Sequence, residues 1–328
     1  MTGSFLKSIL AALILGAALL AAPLGKYGMT RLSYADEMEK AALLHEKAAA
    51  LILAEKQKRG IIPDEADHLM IGLMGEAYTA ITTTTAGVHE KRTSQLPDFA
   101  ALCVKYFTQA GLKKGDPVGA NFSGSYPGLN LAALCAAEVM GLDIRYSVSV
   151  GSSSYGANCP AYTFPEMLET LHEAGLLSRM PGLVTLGGGG DMGRNMAGYV
   201  LEEPEEIENM IKRLKEAGMG PASIESFAQD IALHEELYGD IKLFINAGGN
   251  SLGLGAGEDS PLLSMGAGLL EPQKLRITPR SGLVERYLDK GIPAVHLLDV
   301  KSLCREGISF DPLVRPRIGT APLYFTKP

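Results

Sequence analysis

The chain opens on an uncharged, mostly apolar run over residues 8–25, then passes through a long charged and alanine-rich stretch before settling into a repeating alternation. Eighteen residues at about 1.5 Å each reach about 27 Å, close to the thickness of a hydrocarbon core, so this run is just long enough to span one. The same run fits a cleaved signal peptide or a buried core helix. Pro23 directly after Ala22 makes a poor cleavage site, which favours an uncleaved transmembrane anchor. Lys7 and the terminal amine on one side are matched by Lys26 and Arg31 on the other, so charge does not set the orientation.

Residues 34–59 are rich in Ala, Leu, Glu and Lys, with acids early and bases late, the order a helix dipole prefers. They predict a long helix that either packs on the following domain or stands as a stalk, ended by Gly60 and Pro63. Residues 75–99, with four successive threonines at 82–85, read as an extended segment, and helical pattern returns over 98–111.

From Pro117 onward an apolar strand repeatedly runs into a Gly/Ser/Asn loop that opens a helix. Strands are expected at 117–121, 144–150, 182–186, 241–246 and 293–298, with helices over 129–142, 164–174 and 204–217 between them. This predicts an α/β fold: a mostly parallel sheet with helices on both faces, a Rossmann-like layering, preceded by the transmembrane helix and the long Ala-rich helix. The expected divisions are a tail and anchor over 1–27, a long helix or stalk over 28–62, and a Gly-rich α/β domain over 63–328. In such sheets ligands bind beyond the carboxyl ends of the strands, where all these loops would converge.

A net charge of -7 argues against nucleic acid as a partner. The four cysteines, Cys103, Cys135, Cys159 and Cys304, show no C-x-x-C spacing, so no metal site is expected from them. Gly188, Gly190 and Gly193 match G-x-G-x-x-G after a strand, but a run of four glycines meets that pattern easily, and no acidic residue follows where a ribose would need one. No Walker A sequence is present, and no cofactor is expected.

Ser123 and Ser125 sit where a strand gives way to a helix, the place for a hydrolase nucleophile, but neither has the flanking glycines of a nucleophile elbow. With Asp191 and His296 they follow the chain order Ser, Asp, His and could assemble a catalytic triad. Alternatively the hydroxyls cap the next helix, Asp191 caps its own loop, and His296 is a core histidine. Asn121, Ser153, Asn158, Gly188, Gly189, Gly190, Arg194, Asn246, Gly248, Gly249, Asn250 and Asp299 are the candidate binding residues. Glycines permit close backbone approach, the amides supply neutral donors and acceptors, and Arg194 supplies a cation for a carboxylate ligand.

The segments Ile81-Thr82-Thr83-Thr84, Phe122-Ser123-Gly124-Ser125-Tyr126-Pro127, Gly156-Ala157-Asn158, Leu186-Gly187-Gly188-Gly189-Gly190-Asp191-Met192-Gly193-Arg194, Ile245-Asn246-Ala247-Gly248-Gly249 and Gly291-Ile292-Pro293-Ala294-Val295-His296 occur in order. In these the chain resembles the poly-γ-glutamate system protein family, bacterial membrane-linked proteins associated with synthesis and export of that capsule polymer. The resemblance implies a single-pass protein of the cell membrane, with other subunits of a poly-γ-glutamate synthase or export complex as partners and an anionic polymer or glutamyl intermediate as ligand. It carries no established catalytic role. The external destination of the polymer favours an extracytoplasmic domain. Two functions stand: an accessory component that binds polymer or intermediate at the sheet's carboxyl edge, and a serine-dependent hydrolase or acyltransferase acting on γ-glutamyl bonds.

Overall fold

The computed structural model describes residues 29–256 and 265–326. The expected anchor lies outside the described residues, and among those described no helix is long and apolar enough to cross a membrane.

Helix α1 (Ala35–Lys58) begins with Asp36 and Glu37 and ends with Lys56 and Lys58, each set complementing its end of the helix dipole. Its inner face is built from Ala41, Ala42, Ala48 and Ala49 with Met38 and Ile52, all buried in the main core. Small residues let the helix axis approach closely, and it packs on the domain against α3 (Asp98–Gln109) and α4 (Pro127–Met140), so it is no stalk. His45, wholly buried, places Nε2 3.1 Å from the Gly128 carbonyl oxygen, and burial lowers its pKa to about 4, so the ring is neutral and donates.

The segment expected to be extended is strand only in β1 (Thr82–Thr84) and turns helical in α2 (Val88–Ser94). Glu90 in its first turn and Lys91 and Arg92 in its last follow the dipole, a signal that the threonine run before it obscures. β1 pairs in parallel with the short β4 (Ser152–Ser153).

The main sheet contains β2 (Pro117–Ser123), β3 (Asp143–Ser149), β5 (Leu183–Thr185), β6 (Leu243–Ala247), β7 (Gly268–Leu270) and β8 (Ala294–Leu297), in the spatial order β5-β3-β2-β6-β8-β7. Five strands are parallel, and β7 is an antiparallel edge that the sequence pattern does not predict. The chain steps outward from β2 to β3 and β5, then returns to the other side of β2 with β6. The strand order therefore reverses between β2 and β6, which makes that gap the switch point where such sheets open a crevice.

Alternation sorts the two faces. Val118, Ala120, Phe122, Tyr146, Val148, Ile245 and Val295 bury against the core that holds α1, α3, α4, α5 (Phe164–Glu173) and, after the single turn α6 (Ala197–Val200), α7 (Glu205–Glu216). Phe244 and Ala294 bury on the opposite face, in a smaller core with Tyr238 and Ile231 of α8 (Phe227–Tyr238) and Tyr287 and Leu288 of α10 (Leu283–Asp289). Helices thus cover both faces of a mostly parallel sheet, as expected, although α8 and α10 carry the second face without having been anticipated.

Gly128, in the first turn of α4, marks a tight seat in the main core. A Cβ there would stand 2.3 Å from the Ser94 carbonyl oxygen and 2.8 Å from Gln95 Cα, both backbone atoms that cannot step aside. Gly128→Ala is expected to lower the unfolding free energy by about 1–3 kcal/mol, measured by urea denaturation. A loss under about 0.5 kcal/mol would show that the backbone yields there without strain.

Candidate functional site

Parallel pairing sets Ser147, Asn121, Asn246 and His296 side by side across four strands, on the face that α8 covers. One pleat further on, Ser123, Ser149 and Thr185 form a second polar row. Asn121 Nδ2 donates to Asn246 Oδ1 at 2.8 Å and to Asn250 Oδ1 at 2.9 Å. Asn246 Nδ2 donates to the Gly248 carbonyl at 3.0 Å and lies 3.3 Å from His296 Nδ1. Asn250 Oδ1 also accepts from Gly253 N–H and so caps the short α9 (Ser251–Leu254). These amides fasten the loop after β6 to β2.

The Ser–Asp–His triad allowed by chain order is not assembled: no hydrogen bond among the described residues joins either serine to His296, or His296 to Asp191. The reason is strand order. β6 lies between β2 and β8, so Ser123 and His296 stand two strand spacings apart, about 10 Å. His296 is a core histidine of the amide row, with burial lowering its pKa to about 4. Ser123 Oγ accepts the Ser125 N–H at 3.3 Å rather than capping α4, whose N-cap position is Tyr126 without a side-chain cap. Asp191 Oδ2 accepts from Thr185 Oγ1 at 2.9 Å, and burial, with the charge of Asp230 second, raises its pKa.

Above the polar rows opens a cleft of about 370 Å³. Ser123, Ser125, Ser153, Gly188, Gly189, Gly190, Gly249 and Asn250, all singled out from the sequence, line it. Thr83, Thr84, Ser149, Tyr126 and Asn195 line it as well and were not singled out. Gly248 supports it from below: its φ of +107° and the 2.1 Å that would separate a Cβ from Ser123 Oγ both require glycine. Gly188 and Gly190, with φ of +69° and +66°, turn the opposite rim, and Asp191 follows them in the left-handed region at φ +60°.

Four candidate binding residues do other work. Asn121 and Asn246 are buried in the amide row beneath the cleft. Asn158 accepts from Glu76 N–H at 2.9 Å and donates to the Glu76 carbonyl and Thr82 Oγ1, so it holds the 75–82 segment in place. Asp299 caps α11 (Val300–Leu303) through Ser302, whose hydroxyl donates to it at 2.6 Å and holds its pKa below the usual range. Arg194 is exposed and outside the cleft lining, so it does not supply the cation expected there.

A buried amine, that of Lys91, stands behind the cleft wall. Lys91 lies on α2, its Nζ donating to Ser153 Oγ at 2.6 Å and to the Ser125 carbonyl, and standing 3.9 Å from the centre of the Tyr126 ring. Burial lowers its pKa to about 7. Ser153 N–H in turn donates to Ser125 Oγ at 3.0 Å, linking Lys91, Ser153 and Ser125 in series along one wall. In sequence Lys91 lies within Val88-His89-Glu90-Lys91-Arg92, a charged stretch of the segment expected to be extended, and the pairing of β1 with β4 brings it to Ser153.

Compared with family models, with curated proteins and with solved structures, the chain matches none.

Because the folded amine titrates near 7 and an unfolded lysine near 10.5, the unfolded chain binds more protons between those values. The contribution of Lys91 to stability is therefore complete above about 10.5 and declines as pH falls towards 7. In a sample with Cε-labelled lysine, the Lys91 resonance is expected to titrate with a midpoint near 7. A midpoint near that of ordinary lysines, about 10.4, would contradict the burial of the amine.

Proposed function

We propose that this chain is a serine-dependent hydrolase or acyltransferase acting on γ-glutamyl bonds, with Ser153 as nucleophile and Lys91 as its base. The observation that carries this is the 2.6 Å contact between Lys91 Nζ and Ser153 Oγ on the wall of the cleft at the switch point. A lysine held near pH 7 by burial is neutral often enough to take a hydroxyl proton, which an ordinary lysine is not.

In this scheme Lys91 Nζ removes the proton of Ser153 as Oγ bonds to the acyl carbon, and the resulting ammonium returns that proton to the departing amine as the C–N bond breaks. Water, or an acceptor amine in the transferase case, then attacks the Ser153 ester, losing its proton to Lys91 and passing it on to Ser153 Oγ as the C–O bond breaks. Ser125, whose Oγ receives the Ser153 N–H, fixes the backbone of the nucleophile. The glycine rim at 188–190 leaves room for a polymer chain to lie against the backbone. The γ-glutamyl class follows from the resemblance of the chain to poly-γ-glutamate system proteins, and a tether at residues 8–25 with an extracytoplasmic domain belongs to the same proposal.

The protonated form of Lys91 favours a second function at the same cleft. A buried ammonium bound only to neutral oxygens attracts an anion, which fits an accessory component that holds the polymer or a glutamyl intermediate without turnover.

The purified full chain is expected to cleave a γ-glutamyl anilide. Ser153→Ala and Lys91→Met should each cut kcat/KM by about 10²–10⁴-fold, while Ser123→Ala stays within a few-fold of wild type. The rate should climb with pH through about 7, as Lys91 loses its proton. Binding of poly-γ-glutamate with no turnover would leave the accessory function standing; neither binding nor turnover would remove both.

A further inference from the structure

Behind the glycine rim, three side chains converge from two elements. Asp191 ends the tight turn after β5, and Asp230 and His234, four residues apart on one face of α8, point to the same place. One oxygen of each carboxylate and one ring nitrogen of His234 all lie within 4.8 Å of one another. Asp191 is 3% exposed, and Asp230 and His234 are each 1% exposed.

Their hydrogen bonds do not account for this burial. Asp191 Oδ1, both carboxylate oxygens of Asp230 and His234 Nε2 are buried with no hydrogen-bond partner. His234 Nδ1 lies 2.8 Å from the Asp230 carbonyl oxygen and 3.2 Å from its Oδ1, the latter out of hydrogen-bond alignment. Ser149 Oγ, on the strand position beside Thr185, is likewise buried and unpartnered, although Thr185 itself holds Asp191. Among the described residues no lysine or arginine forms an ion pair with either aspartate. Two buried carboxylates with only a histidine for company leave a charge that the surrounding apolar core does not offset.

We propose that Asp191, Asp230 and His234 bind one divalent transition-metal ion, of the zinc or manganese class. Two carboxylates neutralise such an ion, and a mixed oxygen and nitrogen set suits these metals rather than calcium or magnesium, which take oxygen alone. Ligands about 2.0–2.2 Å from one ion stand roughly 3–4 Å apart, so small side-chain rotations close the set around it. The ion ties the turn that carries the glycine rim to α8, which itself lies against β2 and β3. Its place is structural: it fixes one wall of the cleft without touching what the cleft holds.

The untagged full chain, purified without chelator, should carry about one equivalent of metal by mass spectrometry. After chelation, Zn²⁺ or Mn²⁺ should titrate back with 1:1 stoichiometry and raise the thermal midpoint. Asp230→Asn and His234→Gln, each retaining the wild-type circular dichroism spectrum, should weaken that binding by at least tenfold. In wild type, which needs no variant to fold, Co²⁺ should shift the His234 ring resonances paramagnetically. A chelated, folded wild type that takes up neither Zn²⁺ nor Mn²⁺, or Co²⁺ that leaves His234 unmoved, overturns the assignment, as do variants that bind metal as tightly as wild type.

Discussion

The in-register parallel pairing of β2 with β3 and β6, continued into β8, is the constraint on which the rest of the structure depends. With a side-chain period of two, one register decides the face of every residue on four strands at once. Here it sends Ala120, Phe122, Tyr146, Val148 and Ile245 to the main core, and Asn121, Ser147, Asn246 and His296 to the opposite face. A slip of one residue would bury the amides among α1, α3 and α4 and leave the aromatic rings against α8. Polar groups so buried are tolerated only when they find one another, and the hydrogen bonds among Asn121, Asn246 and Asn250 form only in the observed register. The network therefore specifies the register as well as satisfying it.

The same pairing fixes where chemistry is possible. The loop after β2 and the loop after β6 flank the switch point, and the amide row pulls the second down onto the first until Gly248 touches Ser123. That contact leaves Ser123 committed to the loop, while Ser125 and Ser153 line the wall beyond it. β1, pairing with β4, delivers the following helix α2, and with it Lys91, to that wall. The lysine is costly to bury and has no carboxylate to offset it. Tyr126 and the Ser125 carbonyl hold it in place instead.

Much of the fold is legible in the sequence, because runs such as Pro117–Ser123 and Leu243–Ala247 are apolar, short and bounded by glycine or asparagine. The long helix α1 is legible for the same kind of reason, its charges following its dipole. What the pattern misses is decided by partners. α8 carries Asp230 and His234 inward among apolar residues, which blurs its amphipathic stripe, and β7 is three residues long and takes its direction from β8. The candidate site divides similarly. Glycines and serines of the cleft are visible because loops at strand ends must gather on one edge. Chain order, by contrast, says nothing about spatial order, so Ser, Asp and His in sequence could not reveal that β6 stands between two of them.

Lys91 and the group Asp191, Asp230 and His234 share one physical feature that separates them from the amide row beneath them. The amides are mutually satisfied, and adding a ligand would gain them little. The lysine and the two aspartates are ionisable groups buried away from water, and among the described residues no lysine, arginine or carboxylate pairs with them to offset a charge. Local strain accompanies the second group: Asp191 adopts a left-handed backbone conformation, uncommon outside glycine, immediately after Gly190, which adopts it freely. An arrangement that combines strain with uncompensated charge is held by the surrounding fold rather than by its own contacts. α8 supplies that hold from one side and the second polar row from the other, so the glycine rim of the cleft inherits its position from a polar layer buried between sheet and helix.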